Sequence, residues 1–307
     1  MDFGTQKPFS MRTKTPSRTS DRWKPMRFAI CNEIFYSEDQ ERWTIPSQFA
    51  AAAELGFDAL EIAPFTLADH VTEITDQQKQ EIIKASEESG VEVAGLHWLL
   101  VGPEGLHVTA PDAQVRETTA QYMQELVRFG IDIGGSMIVV GSPQQRDLRE
   151  GVSYEQAWEW FKATMARCGE VGAEADFKVC IEPLAAVTKN NFLHRAEEVL
   201  KMTEEIDMPN VGIILDTYSG LKEEDDLPAA IRASKDALFH YHCNDDSGYA
   251  PGLGDTDFVP VMEALVDIDY QYFASIEVFH FDRTAMEQGE IGINALRKAL
   301  RAASTNA

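Results

Sequence analysis

The stretch ALFHYHCNDDSGYAPGLGDTDF, residues 237–258, decides how the rest of the chain is read. An apolar and aromatic run, ALFHYH, breaks into Cys243-Asn244-Asp245-Asp246 and then into a loop rich in Gly and Pro. That is the profile of a buried strand delivering His242 to the start of a polar loop, where α/β proteins place their chemistry. A histidine among aromatics is by itself more often packed core than ligand. Its meaning depends on what closes the neighbouring apolar runs.

Those runs repeat from Met26 onward. Strand-like segments MRFAICNEIF, FDALEIAPF, VEVAGLHWLL, GSMIVVGSP, FKVCIEPLA, VGIILDTYSG, ALFHYHCND and YFASIEVFH alternate with helical ones. TIPSQFAAAAELG and DQQKQEIIKASEESG are amphipathic helices stopped by Gly56 and Gly90. Eight strand–helix units in strict alternation predict a single parallel sheet with helices outside. At this length they predict a (β/α)8 TIM barrel over residues 26–307. A doubly wound open sheet is the alternative, but neither GxGxxG nor GxxxxGK[ST] follows an early strand.

The formal charge of −24 over 307 residues repels phosphate backbones and anionic membranes, so no nucleic-acid or membrane partner is expected. No apolar run approaches the ~20 residues that span a bilayer. Cys31, Cys168, Cys180 and Cys243 form no CxxC pair, which predicts free thiols in a reducing, cytoplasmic compartment. Residues 1–25 are polar and basic, with no apolar core of a secretory signal, and are expected to be a disordered leader ahead of Met26.

In a barrel the C-terminal strand ends meet at one mouth. The last four runs close as CIEPL, ILDTY, HYHCND and SIEVF, so Glu182, Asp216, His242 and Glu277 are predicted to face one space. One such carboxylate is readily explained as a helix cap. Three of them with an imidazole form a hard, oxygen-rich donor set that suits a divalent cation, because unpaired buried carboxylates are costly.

These motifs carry a resemblance. IEPL followed by NNFL, ILDTYS, HYHCND with PGLGDTDF behind it, and SIEVF resemble the xylose isomerase-like TIM-barrel superfamily between about Met26 and Arg301. Within it the likeness is to the sugar-phosphate isomerase/epimerase group, which includes tagatose/psicose 3-epimerases, hydroxypyruvate isomerase and inosose-processing enzymes. The resemblance implies that Glu182, Asp216, His242 and Glu277 hold a divalent ion, manganese first, with magnesium, cobalt or zinc as alternatives. It also implies that Glu182 and Glu277 act as acid and base on a sugar, keto-sugar or cyclitol through a metal-stabilised enediolate. A homo-oligomer is a family expectation as well. Lyase or dehydratase chemistry on a 3-keto-glycoside or inosose would use the same site. A phosphodiesterase like the AP endonuclease branch, or a non-catalytic sugar-binding barrel, is the more remote reading.

The substrate shell departs from that group. Ser219 stands where many ketose 3-epimerases have a histidine, a position near Gly248 where they have an arginine, and Thr188 and Lys189 near their second glutamate. Glu33, His97, Trp98, Asn191 and Asp245 are therefore the candidate substrate contacts, with Glu61, His107 and Asn32 nearby. His97 reads equally as structural, and Trp98 as packing or as a sugar-stacking ring.

Overall fold

In a computed structural model, residues 26–36 and 43–306 are described, and the basic leader expected over 1–25 lies outside them. Eight parallel strands close into a barrel in chain order: β1 (Arg27–Cys31), β2 (Ala59–Ile62), β3 (Glu92–Leu96), β4 (Met137–Val140), β5 (Lys178–Ile181), β6 (Val211–Asp216), β7 (Leu238–Cys243) and β8 (Phe273–Ile276). β1 pairs with β8 through Arg27 opposite Phe273 to Ile30 opposite Ile276, which closes the circle. The expected TIM barrel is therefore the fold. Its strands are buried on both faces, which is why they read as nearly unbroken apolar runs.

The helices are α1 (Ile45–Leu55), α2 (Asp76–Ser89), α3 (Ala113–Asp132), α4 (Tyr154–Gly172), α5 (Ala196–Ile206), α6 (Thr217–Glu223), α7 (Leu227–Ala233), α8 (Val259–Asp267) and α9 (Ala285–Asn306). Capping boxes at Thr75/Gln78 and Ser153/Gln156 start α2 and α4 by satisfying otherwise unpaired amide groups. Gly56 and Gly90 end α1 and α2 in the left-handed region. None of the described helices is long and apolar enough to cross a membrane.

Two cores share the strands. Their outward side chains pack against the helices, and an inner plug fills the lower barrel with Ala29, Ala59, Ala94, Met137, Cys180, Ile214, Phe239 and Phe273. The four cysteines are free and buried, as their spacing predicts.

Every strand is shorter than its apolar run, and two of the boundaries have a clear cause. β1 stops at Cys31, and Asn32–Phe35 form a 3-10 turn. Asn32 drives that turn: its Nδ2 donates to Gln48 Oε1 at 3.1 Å, and its Oδ1 accepts from Ala63 N at 2.7 Å. TYSG is not the end of β6 but the first turn of α6, capped by the Asp216 side chain through Ser219 N. A strand-end aspartate makes a good helix N-cap, so the boundary falls at Asp216 itself.

Candidate metal centre and active site

The mouth of the barrel holds a cavity of about 390 Å³. Glu182, Asp216 and Glu277 line it together with Trp98, Val101, Leu184, Tyr218 and Phe279. Glu182, His242 and Glu277 bring one ligand atom each within 4.8 Å of the others, and all three are buried. The close approach of Glu182 depends on Gly141 at the end of β4, where a Cβ would stand 2.1 Å from Glu182 Oε2. Asp216 lines the same cavity but not that tight set. Both its oxygens are engaged by Ser219, through the backbone amide and through Oγ at 3.0 Å. Asp216 is thus the N-cap of α6.

Electrostatics separates the acids. Burial, then the charges of Asp216 and Glu277, push Glu182 well above the ordinary carboxylate range. Burial and the charge of Glu277 raise Asp216 to about 6. Glu277 goes the other way. Burial would raise it, but the charge of His242 in close approach, the charge of His97 and the Trp98 hydrogen bond hold it low. Trp98 Nε1 donates to Glu277 Oε1 at 2.7 Å, and Asn244 Nδ2 donates to Oε2 at 3.2 Å.

These residues fit a divalent ion. His242 Nδ1 is buried, has no hydrogen-bond partner, and lies 3.2 Å from Glu277 Oε2. Among the described residues no Lys or Arg lines the cavity to neutralise its acids. A site of three carboxylates and one neutral imidazole nitrogen suits a hard or borderline cation, and the cation would relieve the repulsion that raises Glu182 and Asp216.

The expected substrate shell is only partly at the cavity. Trp98 lines it, in the left-handed region at φ 48°, with its ring stacked on Phe65 at 5.9 Å. Glu33 and His97 lie below it, joined by a 2.6 Å contact between His97 Nε2 and Glu33 Oε2. Asp245 and Asn191 face elsewhere. Asp245 Oδ1 accepts from Asp246 N, Thr256 N and Thr256 Oγ1, and Oδ2 accepts from Gly252 N, so its carboxylate organises the loop after β7. Asn191 Oδ1 accepts from Leu148 N at 2.6 Å and ties two rim loops together. His107 is held by Asp147 at 2.7 Å on an outer groove rather than in the cavity.

Thr188, Ser219 and Gly248, the three small residues of the shell, do line the cavity. Gly248 sits at φ +80°, where a side chain would be strained and its Cβ would press on Phe279 and His280 at 3.2–3.3 Å.

Sequence reasoning missed His240 and Arg146. His240 Nε2 donates to Glu61 Oε2 at 2.8 Å beneath the cavity. The signal was the H-x-H spacing of β7, since residues two apart on a strand share a face. Arg146 is 1% exposed and donates from Nη1 to Val140 O at 3.1 Å, while Nε and Nη2 have no partner. Its charge lowers Glu182 against the effect of burial. Nothing in QQRDLREG marked it as buried.

A family model described as a xylose isomerase-like TIM barrel matches residues 49–302. A D-psicose 3-epimerase of Ruminiclostridium cellulolyticum is 26% identical over 254 residues, covering 80% of this chain and 83% of that protein. A probable ketose 3-epimerase of Synechocystis is 27% identical over 274 residues, covering 84% and 82%. Among solved structures, the apo form of a 3-keto-D-glucoside 4-epimerase from E. coli superposes with a TM-score of 0.72 at 23% identity, covering 91% of this chain and 99% of that one.

Proposed function

Because the chain belongs to the xylose isomerase-like TIM-barrel family, we propose that it is a sugar epimerase or isomerase dependent on a divalent metal ion, manganese first. The observation that carries this reading is the buried set Glu182, His242 and Glu277, with ligand atoms within 4.8 Å at the wall of a sugar-sized cavity. The relatives named as ketose 3-epimerases support an epimerase, and the fold shared with a 3-keto-D-glucoside 4-epimerase fits the same chemistry.

Glu182, Asp216, His242 and Glu277 would hold the ion. When bound, it supplies polarisation of a carbonyl and its neighbouring hydroxyl, which acidifies the C–H between them. Glu277, which accepts from Trp98 Nε1 and Asn244 Nδ2, is suited to remove that proton. Glu182, pushed up by burial and by Asp216, is suited to carry one. Two carboxylates with protonation preferences driven apart make an acid–base pair. Return of the proton to the opposite face of the same carbon epimerises it; return to the neighbouring carbon interconverts aldose and ketose. Val101, Leu184 and Phe279 give the cavity an apolar wall beside its acids.

Metal analysis of the purified protein followed by solvent-deuterium exchange on ketohexoses, 3-keto-glucosides and inososes tests this. Exchange is expected with at least one substrate and should fall ~10²–10⁴-fold in Glu182→Gln and in Glu277→Gln. A protein that binds no divalent ion, or variants that exchange at the parental rate, would overturn it.

A further inference from the structure

Below the cavity Glu61 points from β2 across the barrel to β7. Its Oε2 accepts from His240 Nε2 at 2.8 Å and its Oε1 lies 3.1 Å from His242 Nε2. All three side chains are 0–1% exposed, and water cannot substitute for these contacts. His97 Nδ1 stands 3.7 Å from the same carboxylate, and Cys31 Sγ lies 3.9 Å from His242 Nε2. An imidazole whose Nε2–H is given to a carboxylate leaves Nδ1 as its lone-pair nitrogen. In His242 that nitrogen is the buried, partnerless atom facing Glu277.

We propose that Glu61 is the positioning residue of the metal centre, fixing His242 in the tautomer and ring orientation that present Nδ1 to the ion, with His240 bracing Glu61 from beneath. The inference rests on the metal-centre reading above. A carboxylate behind a ligating histidine orients the ring and strengthens it as a donor, and losing such a partner weakens metal binding. His240 has a separate duty. By occupying Oε2 it leaves only Oε1 for His242, so the carboxylate cannot rotate away from the ring. Glu61, His240 and His242 could also be grouped as ligands of a second ion. The 2.8 and 3.1 Å contacts are N–H···O distances, and His242 Nε2 cannot both donate to Glu61 and bind a cation.

Calorimetric titration of the full chain with Mn²⁺ is the test, on the parent, Glu61→Gln and Glu61→Met. Glu61→Met is expected to weaken Mn²⁺ binding ~10–100-fold, with Glu61→Gln, which keeps one acceptor oxygen, lying between it and the parent. Equal affinity in all three overturns the positioning role while leaving the metal centre standing; failure of the parent to bind Mn²⁺ overturns the centre itself. Nitrogen-15 spectra of the Mg²⁺-loaded parent need no variant and decide the matter even if Glu61→Met does not fold. A proton on Nε2 of His242 and none on Nδ1 is expected. A proton on Nδ1, or binding of two ions per chain, refutes the proposal.

Discussion

The two sides of the barrel mouth carry nearly the same chemical groups with different neighbours. On the β1–β3 side, Glu33 and Glu61 each meet a histidine within 2.6–2.8 Å, and burial still leaves Glu33 raised against the pull of His97. Burial would raise Glu61, but the charges of His240 and His242 and their hydrogen bonds hold it well below the usual carboxylate range. On the β5–β8 side, Glu182 and Asp216 meet other acids and are both raised. Glu277 lies at the seam between β8 and β1 and draws support from both sides, through His242, His97 and Trp98. Burial decides the direction at Glu33, and the neighbouring histidines decide it at Glu61. One side pairs its acids with imidazoles, and the other sets its acids against one another.

Breaking the paired side should cost stability with or without metal. His97→Leu leaves Glu33 buried without its 2.6 Å imidazole partner. Removing one partner of such a pair is expected to lower stability by about 3–5 kcal/mol, seen as an earlier denaturant midpoint in both metal-free and metal-loaded protein. An unchanged midpoint would show that the two sides do not differ as described.

The acid-rich side should answer in the opposite sense. Asp216→Asn keeps an oxygen for the α6 cap and removes a charge raised to about 6 by burial and Glu277. Metal-free protein should gain up to about 3 kcal/mol near pH 7 while binding Mn²⁺ more weakly. The sign follows from proton counts. Between the ordinary aspartate value and about 6 the folded state binds more protons than the unfolded state, so metal-free stability falls as pH rises through that window and levels off above it. Asp216→Asn should flatten that slope. A metal-free parent whose stability rises with pH from 4 to 6 would contradict this account.

Trp98→Phe probes the seam with the smallest effect. It removes the 2.7 Å hydrogen bond to Glu277 but keeps a ring to stack on Phe65. A hydrogen bond to a charged group contributes about 1.5–3 kcal/mol. The acid limb of the pH–rate profile should move to higher pH, with metal affinity changing less than in Glu61→Met. An unmoved limb would separate Trp98 from the ionisation of Glu277.

The barrel and the convergence of Glu182, Asp216, His242 and Glu277 at its mouth were legible because each ends an apolar run, and strand ends of a closed barrel converge. What supports them was not. Glu61 meets His240, and Trp98 meets Glu277, each pair 179 positions apart in the chain. Periodicity shows that a side chain points into a barrel, not which inward side chain it will meet. Asp245 looked available for substrate because a loop's internal hydrogen bonds leave no periodic trace. Asp216 shows that capping α6 and facing the cavity are compatible, since its carboxylate does both.

The buried cysteines give the fold a built-in clock. Cys31 and Cys180 line the barrel interior, and Cys168 and Cys243 lie in its outer core, all without measurable exposure. Each thiol is also pushed up by burial, so none is a ready thiolate in the closed protein. An added thiol reagent can therefore react only as fast as the barrel opens. Where opening and reclosing outpace labelling, any ion or sugar that binds only the closed form must slow the reaction by one plus the ratio of its concentration to its dissociation constant. Occupancy of the mouth could then be read from unmodified protein with no catalytic assay and no known substrate.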